Sequence, residues 1–125
     1  MSNMNKLSYQ YKYCDGILFY ELLIDSKTIS SILEDGNLGI PVWDINNSLP
    51  KATAIEDDLE NYFIVTVCGC SYCRIIENEY DVVFEDFRGD VGEKGKQIQF
   101  QFTKENFNNT ISKIVQSANN EKNKK

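Results

Sequence analysis

The chain of 125 residues contains no histidine, only two prolines, one tryptophan and four cysteines. Without histidine the commonest general base is missing, and so is every Ser–His or Cys–His catalytic pair. No apolar run approaches the ~20 residues of a membrane-spanning helix. The longest candidates, Gly16–Ile24 and Tyr62–Val67, are interrupted or short. Met1–Gln10 has no apolar stretch of the secretory-signal kind. With so few cysteines, that points to a reducing, cytoplasmic setting in which thiols stay free. The glycines at 89, 92 and 95 lack the Gly-Lys-Ser/Thr ending of a phosphate cradle, and no calcium-loop pattern occurs. The chain is therefore not expected to be an enzyme.

What is present is acid. The net charge is −6, which disfavours nucleic acid, because binding to phosphates is driven by Lys and Arg. The acid is also concentrated. Glu56, Asp57, Asp58, Glu60, Glu77, Glu79, Asp81, Glu85, Asp86 and Asp90 are opposed within Glu56–Asp90 only by Arg74 and Arg88. These ten acids form the candidate partner-binding set. Such a surface suits a protein partner rich in Lys and Arg and would steer its association. Glu56-Asp57-Asp58 and Glu85-Asp86 are runs of adjacent acids, and neighbours on a regular strand face opposite ways, so neither run is a ready-made carboxylate dyad. Glu77 and Glu79 are expected to share one strand face.

Leu7, Tyr9, Tyr11 and Tyr13 alternate with Ser8, Gln10, Lys12 and Cys14, a period-2 strand with one apolar face. The aromatic face reads as core, since only Lys12 interleaves it and nucleic-acid stacking surfaces are basic. Asp15-Gly16 signals a tight hairpin turn, and Ile17–Ile24 is the return strand. Asp25 or Ser26 is placed to cap a short helix carrying Ile29, Ile32 and Leu33, with Gly36 just past its end. Asn37–Pro50 reads as a loop anchored by Ile40, Val42 and Trp43. Pro50 is placed to open a second short helix with Ile55 and Leu59.

Tyr62–Cys68, apolar on both faces, reads as a central strand. Arg74–Asn78 and Tyr80–Arg88 follow as strands, and the glycine-rich stretch 89–96 as a mobile loop. In Gln97–Phe102 the apolar Ile98, Phe100 and Phe102 alternate with glutamines. Thr103 caps a helix whose stripe is Phe107, Ile111, Ile114, Val115 and Ala118. The order ββα(α)ββββα with short connections implies an α+β fold. It is an antiparallel sheet of about five to six strands with helices packed on one face. Residues 1–118 form one domain, and the polar stretch 119–125 is expected to fray.

Cys68-Gly69-Cys70-Ser71-Tyr72-Cys73 is the most distinctive string. Three thiolates on one turn, with Cys14 as a fourth ligand, are a candidate zinc set. The spacing lacks the paired Cys-x₂-Cys units or histidines of zinc modules. A redox reading of Cys70 and Cys73 lacks the helix N-terminus that lowers a thiol's pKa. The plainest reading is small side chains filling a buried strand-turn-strand corner, with no cofactor.

Leu22-Leu23-Ile24-Asp25 ahead of a short helix, the strand Phe63–Cys68 running into the cysteine turn, and Val82-Val83-Phe84-Glu85-Asp86-Phe87 carry a resemblance. The chain resembles small cysteine-containing α+β proteins of bacterial toxin–immunity neighbourhoods, including contact-dependent inhibition immunity proteins. It departs from them where Gly69 separates the first two cysteines and Tyr72 precedes Cys73. The resemblance implies an immunity protein that binds and blocks a cognate toxin domain, often a basic one, and assigns no residue roles. The chain itself is expected to be a monomer or homodimer.

Overall fold

In the computed structural model, described over residues 4–46, 49–51, 61–67 and 70–123, Asp15 and Gly16 take φ of 54° and 78°. That is the type I′ turn the Asp-Gly pair favours. It joins β1 (Leu7–Cys14) to β2 (Ile17–Ile24) with Cys14 opposite Ile17 and Leu7 opposite Ile24. Asp25 and Ser26 repeat the geometry at φ 52° and 71°, turning the chain into β3 (Lys27–Thr28). Neither residue caps the helix, because both are occupied by this turn. The cap of α1 (Ile29–Leu33) is Thr28, whose Oγ1 accepts from the Ser31 amide at 3.1 Å. The helix ends in a left-handed Glu34, two residues before Gly36.

β4 (Ile40–Pro41) pairs with β2, and a 3₁₀ turn follows over Val42–Asp44. Ile40 is buried and Val42 packs half-buried against the core as expected, but Trp43 is 57% exposed; Ile45 and Leu49 are further buried apolar side chains of this stretch. The second short helix expected after Pro50 lies outside the described residues.

β5 (Tyr62–Thr66), β6 (Ser71–Glu77), β7 (Asp81–Gly89) and β8 (Gln99–Thr103) follow, with a helical turn α2 (Gly92–Gly95) where a loop was expected. The α+β class and antiparallel pairing are as expected. Among the described residues the strands divide into two four-stranded sheets, β1–β4 and β5–β8. β5 is an edge strand of the second sheet, not a central one. It reads as central because both of its faces are buried or half-buried, Tyr62, Ile64 and Thr66 on one and Phe63, Val65 and Val67 on the other. Its outer edge is in addition met by the chain itself, where Ile64 N–H donates to Pro50 O at 2.8 Å and Lys51 pairs with Phe63.

The sheets are joined at two places. Leu38 and Val67 exchange main-chain bonds of 3.2 and 2.9 Å. Asn5 N–H donates to Gln101 O at 2.7 Å, while its side-chain oxygen accepts from Gln101 N–H at 2.9 Å.

α3 (Lys104–Lys122) packs against β1, β7 and β8. Its cap is Thr103, accepting from the Asn106 amide at 3.0 Å. It buries Phe107, Thr110, Ile114 and Ala118, a spacing that keeps one face inward. It runs to Lys122, four residues into the stretch expected to fray, and the Lys122 ammonium bonds Ile45 O. Both sheets contribute to one core, from Leu22 and Ile24 of the first to Val82, Phe84 and Phe102 of the second. Each such side chain contributes about 1.5–3 kcal/mol on burial.

Candidate functional site

The acidic segment is built on the β6–β7 hairpin, and a bulge sets its character. Tyr72 faces Arg88 and Arg74 faces Glu85, so Asp86 and Phe87 together oppose Cys73. The extra residue is accommodated at Asp86, whose φ is +54°. Inward residues therefore shift from Val82 and Phe84 to Phe87. Glu85 and Asp86, expected on opposite faces, both border the depression that contains Arg74.

Neither acid is idle. Arg74 bonds Glu85 at 2.6 Å, and Gln99 donates to the other Glu85 oxygen at 3.1 Å. Asp86 accepts from the Tyr62 hydroxyl and from Arg88, at 3.1 Å from its Nη2, and Arg88 also lies 5.3 Å from the Tyr62 ring centre. Burial alone would raise the Asp86 carboxyl. The hydrogen bonds from Tyr62 and Arg88, with the charges of Arg88 and Arg74, outweigh it and hold Asp86 below the ordinary carboxylate range. Burial, then the bond to Asp86, pushes the Tyr62 phenol up.

The hairpin tip differs. Asn78 N–H donates to Asp81 O at 2.8 Å and Asn78 Nδ2 to Asp81 Oδ1 at 2.7 Å, closing a turn over Glu79 and Tyr80. The turn is fixed to α3: Lys104 N–H donates to Tyr80 O and Lys104 Nζ to Asn78 O, both at 3.0 Å. Gln101 also donates to Asp81, and these side-chain bonds lower the Asp81 carboxyl. Tyr80 projects 79% exposed from this held turn, more than any other large apolar or aromatic residue of the described chain. Glu77 ends β6, and Glu79 sits in the turn, so the two do not share a strand face. Both are exposed, as is Asp90, and none of the three side chains makes a hydrogen bond or ion pair among the described residues, although the Asp90 N–H donates to Cys70 O at 3.3 Å. Glu56, Asp57, Asp58 and Glu60 lie outside the described residues.

The cysteines are dispersed by role. Cys73 is fully buried in β6, and burial pushes its thiol far up, away from the thiolate that metals and nucleophilic chemistry need. Cys70 is half-buried with a φ of +54°, and Cys14 lies at the β1–β2 turn in the other sheet. Cys68 is outside the described residues. Among those described, no three His, Cys, Asp or Glu side chains converge on one point.

The flanks of the cysteine turn are held by Asp35. Its Oδ2 accepts from Thr66 Oγ1 at 3.0 Å and from Ser71 Oγ at 2.6 Å, and its Oδ1 from the Asn37 amide at 2.8 Å. Thr66 and Ser71 are buried, so Asp35 satisfies hydroxyls that would otherwise be stranded. A groove of about 580 Å³ runs along Phe63, Ile75, Phe107 and Ile111, with Lys51 and Glu77 its charged lining. It adjoins the hairpin through Glu77.

Comparison with known proteins finds no matching family model, curated protein or solved structure. Two features escaped the sequence. Tyr80 reads as the first residue of a strand, although Asn78 and Asp81 bracketing two residues is a turn signal. The Tyr62–Asp86–Arg88 cluster depends on the bulge, for which the sequence offers no glycine.

Proposed function

We propose that the chain is an intracellular immunity or inhibitor-type protein that binds and neutralises a cognate basic toxin domain through the β6–β7 hairpin. One observation carries this reading: a fully presented Tyr80 on a turn pinned at both ends, flanked by Glu77 and Glu79, whose side chains have no partner among the described residues. Binding energy concentrates in aromatic anchors that are already ordered before contact. Acids around the anchor raise the association rate with a Lys/Arg-rich surface. Glu85 and Asp86 are bound by Arg74 and Arg88, so their role in this reading is to stiffen the hairpin. The side chains of Glu77, Glu79 and Asp90, without partners among the described residues, supply the field.

The test is affinity capture from lysate of the source cell, and with products of adjacent genes, at low and at high salt. A basic protein retained at low salt and weakened by salt supports the proposal. No basic partner at either salt contradicts it.

A further inference from the structure

The two sheets have edges of unequal cover, and among the described residues that of β1 is open over most of its length. The outer edge of β5 is met by Pro50, Lys51 and Leu38, and β8 is met at Gln101 by Asn5. At the start of β1 the helix does the same work. Leu7 N–H donates to Asn106 Oδ1 at 2.7 Å, and Leu7 O accepts from Asn106 Nδ2 at 2.9 Å and Thr110 Oγ1 at 3.1 Å.

These bonds fix the phase of the strand. In an antiparallel pair a residue points both main-chain groups toward its neighbour or both away, alternately. Asn5 and Leu7 point away from β2, while Lys6 O accepts from Asp25 N–H at 2.9 Å and so points toward it. Tyr9, Tyr11 and Tyr13 therefore turn their N–H and C=O groups outward, and among the described residues nothing receives them. Tyr11 and Tyr13 are also 61% and 60% exposed.

We propose that this edge pairs antiparallel with the same edge of a second copy, centred on Tyr11. The strand is complementary to itself in that register. Tyr11 opposes Tyr11 and Tyr9 opposes Tyr13 of the second copy, each pair exchanging both main-chain bonds and adding an aromatic cross-strand contact. Gln10 opposes Lys12, so no like charges meet. Lys12 is the single charged residue of β1 and lies 3.8 Å from Glu21 of its own chain. A net charge of −6 repels a second copy overall, but neither of the facing strands carries an acid. Proline and bulges, which natural edges use to prevent such pairing, are absent from β1. This inference is independent of the toxin reading.

Sedimentation of the full chain from about 1 µM to about 1 mM, the range suited to a small interface, tests it. A monomer–dimer equilibrium is expected, with the Tyr9, Tyr11 and Tyr13 amides exchanging freely when dilute and protected when concentrated. Tyr11→Pro removes the central outward N–H without touching a β1–β2 bond, and should abolish the dimer. Gln10→Lys places lysine against Lys12 twice and keeps its own partner Glu21; roughly tenfold weaker pairing is expected. A chain monomeric throughout overturns the proposal. So does a dimer whose three tyrosine amides still exchange freely, or one that Gln10→Lys leaves unchanged.

Discussion

The β1–β2 and β6–β7 hairpins are built alike and present opposite surfaces. β1–β2 is regular through eight residue pairs and carries one charge on its outer strand. Its one charged pair, Lys12 with Glu21, lies within the hairpin, and its main chain is what remains open. β6–β7 is bulged, and its outer face is crowded with Glu85, Asp86, Arg74 and Arg88 in mutual contact, while β5 and β8 close its two flanks. There the main chain is consumed and the side chains at the tip are offered. Regular pairing leaves an edge that another strand can extend, whereas a bulged and flanked hairpin can bind only through its side chains.

The contrast can be broken most sharply in the core beneath the second hairpin. Phe84 is fully buried, edge-on to Phe102 at 4.9 Å and to Phe107 at 6.0 Å. Phe84→Ala should cost about 3–5 kcal/mol in urea unfolding. On the first hairpin, Tyr11→Ala should remain within about 0.5 kcal/mol of the wild type, because its ring is largely in solvent.

Asp86→Asn comes next. It keeps the shape and removes a charge that Tyr62 and Arg88 address, so a loss of about 1–3 kcal/mol at neutral pH is expected. The pH dependence has a definite sign. A carboxyl held below its ordinary value of 3.8 stabilises the fold fully above that value, and this contribution disappears as pH falls through the depressed folded value. Acid unfolding should therefore be shallower in Asp86→Asn. It should persist in part, since Asp25 and Asp81 are also lowered by their hydrogen bonds. Tyr62→Phe removes one donor to Asp86 and should cost about 1 kcal/mol, with the Asp86 carboxyl titrating at higher pH by NMR.

The smallest effect on stability belongs to the tip. Tyr80→Ala should change unfolding free energy by no more than about 0.5 kcal/mol, while weakening partner binding by roughly thirtyfold or more, as loss of an aromatic anchor does.

The strands and turn of the first hairpin were legible nearly to the residue, because alternation was unbroken and Asp15-Gly16 named its turn. Its tyrosine face, expected as core, is exposed at Tyr11 and Tyr13, since the apolar alternation does not say how far along the strand the core extends. The second hairpin was not so legible. The bulge at Asp86 interrupts period 2 without a glycine to announce it, and so the adjacency of Glu85 and Asp86 on one face was hidden. The same cause shifted the cap of α1. Asp25, Ser26 and Glu34 all take positive φ, a conformation sequence reasoning assigns first to glycine. β5 looked central because both of its faces are buried or half-buried, which calls for the same apolar residues as an interior strand although it lies at the sheet's edge. Of the candidate binding acids, the count was readable but their division into paired and free was not, since that depends on where Arg74 and Arg88 cross the sheet.

The most direct measurement is parallel capture with three baits: the wild type, a Glu77→Lys/Glu79→Lys/Tyr80→Ala variant, and Tyr11→Ala. The proposal predicts that the basic partner is lost by the tip variant and retained, with unchanged salt dependence, by the wild type and Tyr11→Ala. Undiminished capture by a folded tip variant would contradict it.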